Sequence, residues 1–395
     1  MRILEINNSD LVGRAFNGYD LHCKLNKTGH EAYMLVVDKY SNDATVESMD
    51  ISLFERERIR FIEEKQCLNN IYYPYAASLV KNEHYINSDI LHYHFTYHQM
   101  FSLYDYQEIM DARAVWTIHD LWMITGNCIN PPKRCKKWQT QCFNCDNYDN
   151  EYFPMKEDNT KTMWTIKKEC LGKINPHIIV ASEYMKRCLN SSPITKHFSK
   201  IHIIPFGIDL ELYQKKEKKN SKEITIGFRA EDEYIKGCDL LYDALRKVCT
   251  TSTIKLSCVG NGKVPNDIKN KFELTEHGWM FNKEDMVSFY KRCDIFIIPS
   301  RQETFCLMAI EAMAAGCLVV CFKDTIVEEV SGAPQNAIAV DYENTDALAV
   351  QIEYLVDNKN YREEIIGNSR SFIKRYNIEN YVEAHIELFE NVITN

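Results

Sequence analysis

At 395 residues, with 45% apolar and 26% charged residues, the chain has ordinary globular composition; it is too long for one core, and two domains of roughly 200 residues each are expected. A net charge of −9, from 47 basic and 56 acidic residues, excludes nucleic acid as a general partner. No apolar run reaches the roughly 18 residues of a membrane span. The start, MRILEIN, has no signal-peptide pattern. The 15 cysteines are odd in number, and Cys258, Cys317 and Cys321 lie in apolar runs. That suits buried thiols in a reducing cytoplasm better than a disulfide framework.

Arg2–Ile6 reads as a first strand, followed by a turn-rich loop from Asn7 to Gly18 that contains Gly13. Tyr19, Leu21 and Leu25 then fall at helical spacing, and Ala32–Val37 is a second strand. Phe54–Gln66 is a charged helical stretch and Ile71–Tyr75 an aromatic one. Asp89–His94 reads as a strand ending in a histidine, which by residue type is more often scaffold than catalyst. Ala114–Ile118 is a strand that delivers His119 and Asp120 to its carboxyl edge. A neutral imidazole there offers one donor and one acceptor to a hydroxyl, although a loop-capping His–Asp pair would look the same.

Cys128, Cys135, Cys142 and Cys145 follow as C-x6-C-x6-C-x2-C in a segment with little apolar periodicity. Four thiols are enough for a tetrahedral structural zinc; free thiols and one or two disulfides are the other readings. Lys133, Arg134, Lys136 and Lys137 surround Trp138, and Lys161, Trp164, Lys167 and Lys168 come next. Such interleaving suits either an anionic membrane face or a solvated charged loop. His177–Ala181 and Ile201–Pro205 are further strands, with Ser182 placed to cap a helix, and Lys215–Lys222 is a charged run without core residues.

Ile224–Phe228 opens a second sheet, with Arg229 at its carboxyl edge and Lys236-Gly237 seven residues on, before the helix of Leu240, Leu241 and Leu245. Two cations at a helix start suit a diphosphate, because charge-assisted bonds and the helix dipole act together. No Gly-x-Gly-x-x-Gly follows either first strand, against a dinucleotide oxidoreductase. Ile254–Val259 and a short His277–Met280 run read as strands, Glu284–Arg292 as a helix and Ile295–Ile298 as a buried strand. Glu303 sits on the loop that follows, and Thr304 is expected to cap a helix running through Phe305 and Cys306 to Gly316. Backbone N–H groups near Phe305 and Cys306 can hold hydroxyl or phosphate oxygens, and Glu311 lies eight residues past Glu303. A capping and a solvated glutamate are the bland alternative. Asp346–Asp357, Tyr361–Arg375 and the amphipathic Ile378–Val392 are the last helices.

Glu303-x7-Glu311, inside PSRQETFCLMAIEAMAAG, resembles the signature of retaining nucleotide-sugar glycosyltransferases of the GT-B fold, family 4. The resemblance spans nearly the whole chain. Trp116, His119, Trp122, Thr125, Gly126 and Cys128 match a WT-x-HD-x-W-x-x-TG-x-C segment, Pro205–Asp209 a P-x-G-[IV]-D turn, and Arg229 with Lys236-Gly237 an R…KG phosphate site. It implies an α/β architecture of two Rossmann-like, doubly wound domains facing across a cleft. Their expected bounds are 1–210 for the acceptor domain with a Cys-rich insertion at 126–150, 211–222 for the linker and 223–375 for the donor domain. A final helix, 376–395, would cross back.

The roles it implies are specific. Glu303 contacts the donor sugar, Glu311 holds the ribose, Arg229 and Lys236 hold the pyrophosphate, and His119 bonds the 6-hydroxyl of the transferred sugar. Thr304, Phe305 and Cys306 border the donor, as does Gly13, the one glycine in place for a phosphate-facing loop. Cys306 departs from the family, which has Gly there; its backbone N–H would serve equally. The implied activity is retaining transfer from a UDP- or GDP-sugar to a saccharide or lipid-linked glycan, in capsule or exopolysaccharide assembly, with peripheral contact at the inner membrane. No catalytic cofactor is required. A hydrolase or epimerase on the same fold is the alternative enzyme, and a non-catalytic nucleotide-sugar binder or zinc-organised partner the alternative class.

Overall fold

The computed structural model describes residues 1–49, 51–150, 152–213 and 223–394. The expected linker lies mostly outside the described residues; Leu210–Tyr213 before it is a short helix. The chain divides into two compact units, Met1–Gly207 with Glu379–Asn395, and Ile208–Ile378.

The first unit is built on seven strands: β1 Arg2–Ser9, β2 Glu31–Asp38, β3 Val46–Ser48, β4 Ile90–Tyr93, β5 Ala114–Thr117, β6 His177–Val180 and β7 Ile201–Ile203. They pair in parallel in the order β3-β2-β1-β4-β5-β6-β7. All four residues of β4 and of β5 are buried, as a parallel sheet covered on both faces demands. Among the covering helices are α1 Tyr19–Lys27, α2 Leu53–Gln66, α3 Thr160–Leu171 and α4 Glu183–Ser191. Ser52 and Ser182 cap α2 and α4, accepting from the amides of Glu55 and Met185.

The second unit has six parallel strands: β8 Ile224–Arg229, β9 Ile254–Val259, β10 Glu273–Glu276, β11 Ile295–Ile298, β12 Leu318–Phe322 and β13 Ile338–Val340. Their order is β10-β9-β8-β11-β12-β13. Helices α5 Cys238–Lys247, α6 Lys283–Arg292, α7 Leu307–Ala314 and α8 Thr345–Asp357 pack on it. The last helix, α9 Ile378–Thr394, falls almost wholly in the first unit, where Tyr381, His385 and Phe389 are buried. Among the described residues no helix is long and apolar enough to cross a membrane.

Both sheets reverse strand order at one point, between β1 and β4 and between β8 and β11. The loops leaving such a pair diverge and open a crevice at their carboxyl ends, where ligands of open α/β sheets bind.

Three expectations need correction. The strand expected at His277–Met280 is instead Glu273–Glu276, an edge strand with two exposed glutamates, so it carries no apolar run. Thr304 does not cap a helix: α7 starts at Leu307 with Cys306 as its cap. The aromatic half of the basic–aromatic segment is internal. Trp138 and Trp164 are buried, and Lys167 is 0% exposed, its ammonium 3.5 Å from the centre of the Trp122 ring.

Candidate functional site

In the second unit the two loops at the switch point are tied together by side chains. Lys236 lies in a 3-10 turn, Tyr234–Lys236, after β8. Its Nζ is 3.0 and 3.2 Å from the two carboxylate oxygens of Glu303, on the loop after β11, and Ser300 Oγ donates to the same carboxylate at 3.0 Å. Burial disfavours the Lys236 charge, but Glu303 outweighs it and raises the pKa, so the ammonium keeps its charge at neutral pH. Arg229, at the end of β8, pairs with Glu231 and lies 4.8 Å from the centre of the Trp279 ring.

Arg301 holds this geometry, and the sequence pattern did not mark it as more than a loop charge. Its guanidinium donates to both oxygens of Asp239 at 2.7 and 2.6 Å, to Glu343 at 2.5 Å and to the Tyr234 carbonyl at 2.7 Å. It also stacks on the Tyr234 ring at 3.9 Å, and its own amide donates to the Ile235 carbonyl at 2.8 Å. Buried at 7% exposure, it stitches the Glu303 loop to the Lys236 turn. Gly237 allows that approach. Its φ is +69°, and an added Cβ would lie 2.0 Å from the Pro299 carbonyl oxygen.

At the start of α7, no carbonyl or side chain among the described residues takes up the amides of Cys306 and Leu307, so they remain donors for an oxygen ligand. Cys306 has φ 80° and ψ 76°, the left-handed region that costs a Cβ-bearing residue about 1–2 kcal/mol. The side chain is thus not a neutral replacement for glycine. Burial, then the Glu303 charge, pushes its thiol pKa up, which keeps it protonated. Phe305 is core, edge-on to Tyr376, and can face a ligand only through its backbone. Glu311, on α7, accepts from the Tyr290 hydroxyl at 2.9 Å, and burial raises its pKa.

In the first unit, His119 follows β5 and stacks on Phe95 and Phe206 at ring distances of 4.5 and 5.8 Å. Its Nε2 is 3.2 Å from His94 Nδ1, and His94 Nε2 is 2.7 Å from Glu5 Oε2. Glu5, His92 and His94 form a trio of metal-ligand type. Their 2.7–2.8 Å spacings are hydrogen-bond distances, however, shorter than the roughly 3.3 Å between two ligands at about 2.0–2.1 Å from a tetrahedral ion. Gly13 (φ +71°) belongs to the loop after β1; an added Cβ would meet the Phe16 ring at 2.4 Å, and Phe16 lies 6.0 Å from His119.

Cys128 and Cys145 hydrogen-bond to each other, and Cys142 lies near Cys135 and Cys145. Cys142 Sγ also accepts from the Gly126 amide at 3.2 Å. Among the described residues no three of these sulfurs converge within one ion's reach, so the quartet as it stands does not fit a closed tetrahedral site.

Two family models match this chain, "Glycosyltransferase Family 4" over residues 19–212 and "Glycosyl transferases group 1" over 209–372. An uncharacterised glycosyltransferase of Methanocaldococcus jannaschii is 26% identical over 168 residues, 40% of this chain and 45% of that protein. The putative colanic acid biosynthesis glycosyl transferase WcaC of Escherichia coli is 24% identical over 238 residues, 56% of this chain and 54% of its own. The chain thus spans about half the length of these relatives. The crystal structure of Anabaena Alr3699/HepE in complex with UDP and glucose superposes with a TM-score of 0.65 at 14% identity, covering 99% of both chains. The fold is that of the GT-B glycosyltransferases, two Rossmann-like domains. With both domain models matched between residues 19 and 372, the chain is a glycosyltransferase-family protein of that fold.

Proposed function

We propose that the protein transfers a glycosyl residue, with retention, from a nucleotide-sugar to a saccharide hydroxyl in the assembly of a surface polysaccharide. The observation that carries this reading is the Lys236–Glu303 pair at the β8/β11 switch point, beside Arg229 and the unused amides of α7. Arg229 and Lys236 take the diphosphate and stabilise the charge that develops as it leaves. An incoming diphosphate competes with Glu303 for Lys236 and frees the carboxylate for the sugar hydroxyls. Glu311 takes the ribose, and His119 a hydroxyl of the transferred sugar. With the Cys306 thiol protonated and the Glu303 carboxylate engaged by the sugar hydroxyls, no side chain in this set is left to attack the anomeric carbon, so the acceptor attacks on the face the diphosphate leaves, which takes up its proton.

The relative WcaC, named for colanic acid biosynthesis, supports a surface polysaccharide, and a lipid-linked glycan is the acceptor we favour. With Trp138, Trp164 and Lys167 internal, exposed Lys133, Arg134, Lys136, Lys161 and Lys168 remain to meet an anionic membrane face at the cytoplasmic side. We also propose that zinc draws Cys128, Cys135, Cys142 and Cys145 together as a structural site. About one zinc per chain in protein prepared without chelator, lost in Cys145→Ser, is the expected result, and zinc-free folded protein refutes it.

The test of the main reading is thermal unfolding with UDP, GDP and their sugars. A nucleotide at about 100 times its Kd stabilises the protein by about 2.7 kcal/mol. The expected result is a shift with one nucleotide that disappears in Arg229→Ala and Lys236→Ala. No shift with any nucleotide refutes the reading.

A further inference from the structure

A buried chain of hydrogen bonds runs from the middle of β1 to the carboxyl ends of β4 and β5. Glu5 pairs in register with His92 across β1 and β4, and Glu5, His92 and His94 are 0–1% exposed. The bonds link Glu5 Oε2 to His94 Nε2 at 2.7 Å, and His94 Nδ1 to His119 Nε2 at 3.2 Å. His92 Nε2 is bonded separately to Thr117 Oγ1 at 2.7 Å, and its Nδ1, 2.8 Å from Glu5 Oε2, is not aligned for a hydrogen bond. Gly18 leaves room for His94: a Cβ there would lie 2.3 Å from His94 Nε2.

Each link has one allowed direction. An ionised carboxylate only accepts, so His94 Nε2 carries a proton. A neutral His94 then has a bare Nδ1, which only accepts, so His119 Nε2 must donate to it. A neutral His119 is left with a lone pair on Nδ1, and that atom is buried without a partner among the described residues. Both histidines are held neutral. Burial, with the neighbouring His92 adding to it, brings His94 down to about 4. Burial lowers His119 well below the usual imidazole range. The carboxylate is held ionised: burial opposes its charge, but His92 and His94 outweigh it and keep Glu5 well below the usual range.

We infer that Glu5 and His94 are positioning residues that fix His119 in the Nε2–H tautomer, so that His119 meets its ligand through Nδ1 as a hydrogen-bond acceptor. On the proposed transferase reading, the ligand group it selects is a hydroxyl that donates its proton, and a sugar lacking that hydroxyl leaves a buried acceptor unpaired. Tautomer choice sits two residues away from the substrate.

The test is nitrogen-15 NMR of the ligand-free chain labelled at its 12 histidines, which reads protonation of each ring nitrogen without any turnover. The expected result is a proton on Nε2 and none on Nδ1 for both His94 and His119 through neutral pH. His119 protonated on Nδ1, or as an imidazolium near pH 7, overturns the inference whether or not the chain is a transferase. In Glu5→Gln the amide can donate as well as accept, and the His119 signals are expected to report both tautomers; Glu5→Asp restores one. With an active donor and acceptor in hand, Glu5→Gln lowers kcat/KM at least about tenfold while nucleotide affinity is unchanged. A Glu5→Gln protein that folds and keeps the single Nε2–H tautomer refutes the role of Glu5. If that variant does not fold, the wild-type spectrum still decides.

Discussion

Gly237→Ala isolates what the close approach of the two switch-point loops is worth. The new Cβ would lie 2.0 Å from the Pro299 carbonyl oxygen, a backbone atom with no rotamer to yield. One of the loops must withdraw by about 1 Å, an overpacking that costs about 1–3 kcal/mol. The left-handed φ adds about 1 kcal/mol. Gly278→Ala supplies the control, because its φ is +68° against +69° for Gly237 and its Cβ meets nothing within 4 Å. The expected difference between the variants is therefore the contact alone, about 2 kcal/mol, or a melting temperature lower by roughly 4–8 °C at about 2–4 °C per kcal/mol. Because the displaced loops carry Lys236 and Glu303, on the proposed transferase reading a shift of about 1 Å should also lower kcat/KM by about 100-fold. Thermal unfolding and steady-state kinetics of the two variants are the assays. Equal melting temperatures, or equal activities, would refute the claim that the loops are held together through Gly237.

Cys306→Gly relieves a Cβ from φ 80° and should stabilise the protein by about 1 kcal/mol, the strain outweighing the added freedom of the unfolded glycine; Cys306→Ala keeps the Cβ, and equal melting of the two would show no strain. Asp120 accepts from the Trp122 amide at 2.8 Å and from the Tyr97 hydroxyl, yet burial brings its pKa up to about 6, those donors and Lys167 only moderating the rise. The folded value is above the unfolded one, so its stabilising contribution is present below about pH 4 and lost as pH rises through about 6, roughly two units or about 3 kcal/mol. The lowered histidines act equally on both proteins, so the difference in unfolding free energy between the wild type and Asp120→Asn should fall by that amount from pH 4 to 7, and parallel curves refute it.

The strands were legible wherever a parallel sheet buries both faces, because β11 and β12 then become continuous apolar runs and β4 and β5 nearly so, each broken by one polar residue, His92 and Thr117. The edge strand β10 was not, since two of its four residues are exposed glutamates. At the site, Lys236 and Glu303 were legible by residue type and place, but their mutual bond is 67 residues long in sequence and belongs to the tertiary fold. Thr304 has the chemistry of a cap, yet the chain needs Cys306 before it can turn into the helix. Arg301 reads locally as a polar stop to a strand; its partners Asp239 and Glu343 lie 62 and 42 residues away. Glu5 carried a signal that could have been used, an acid between the apolar Leu4 and Ile6 of a strand, with His92 on the neighbouring strand and His94 just past its end. Lys167 carried none, because a lysine on an amphipathic helix is ordinarily solvated.

Arg301 makes the Lys236 turn and the Glu303 loop one mechanical part, through bonds to Asp239, Glu343 and the Tyr234 carbonyl. The freedom those loops would otherwise surrender to a ligand is surrendered when the unit folds. On the proposed reading, a nucleotide reaching this crevice would meet a surface already in its final shape, and its affinity would reflect charge exchange at Lys236 with little entropy spent on ordering.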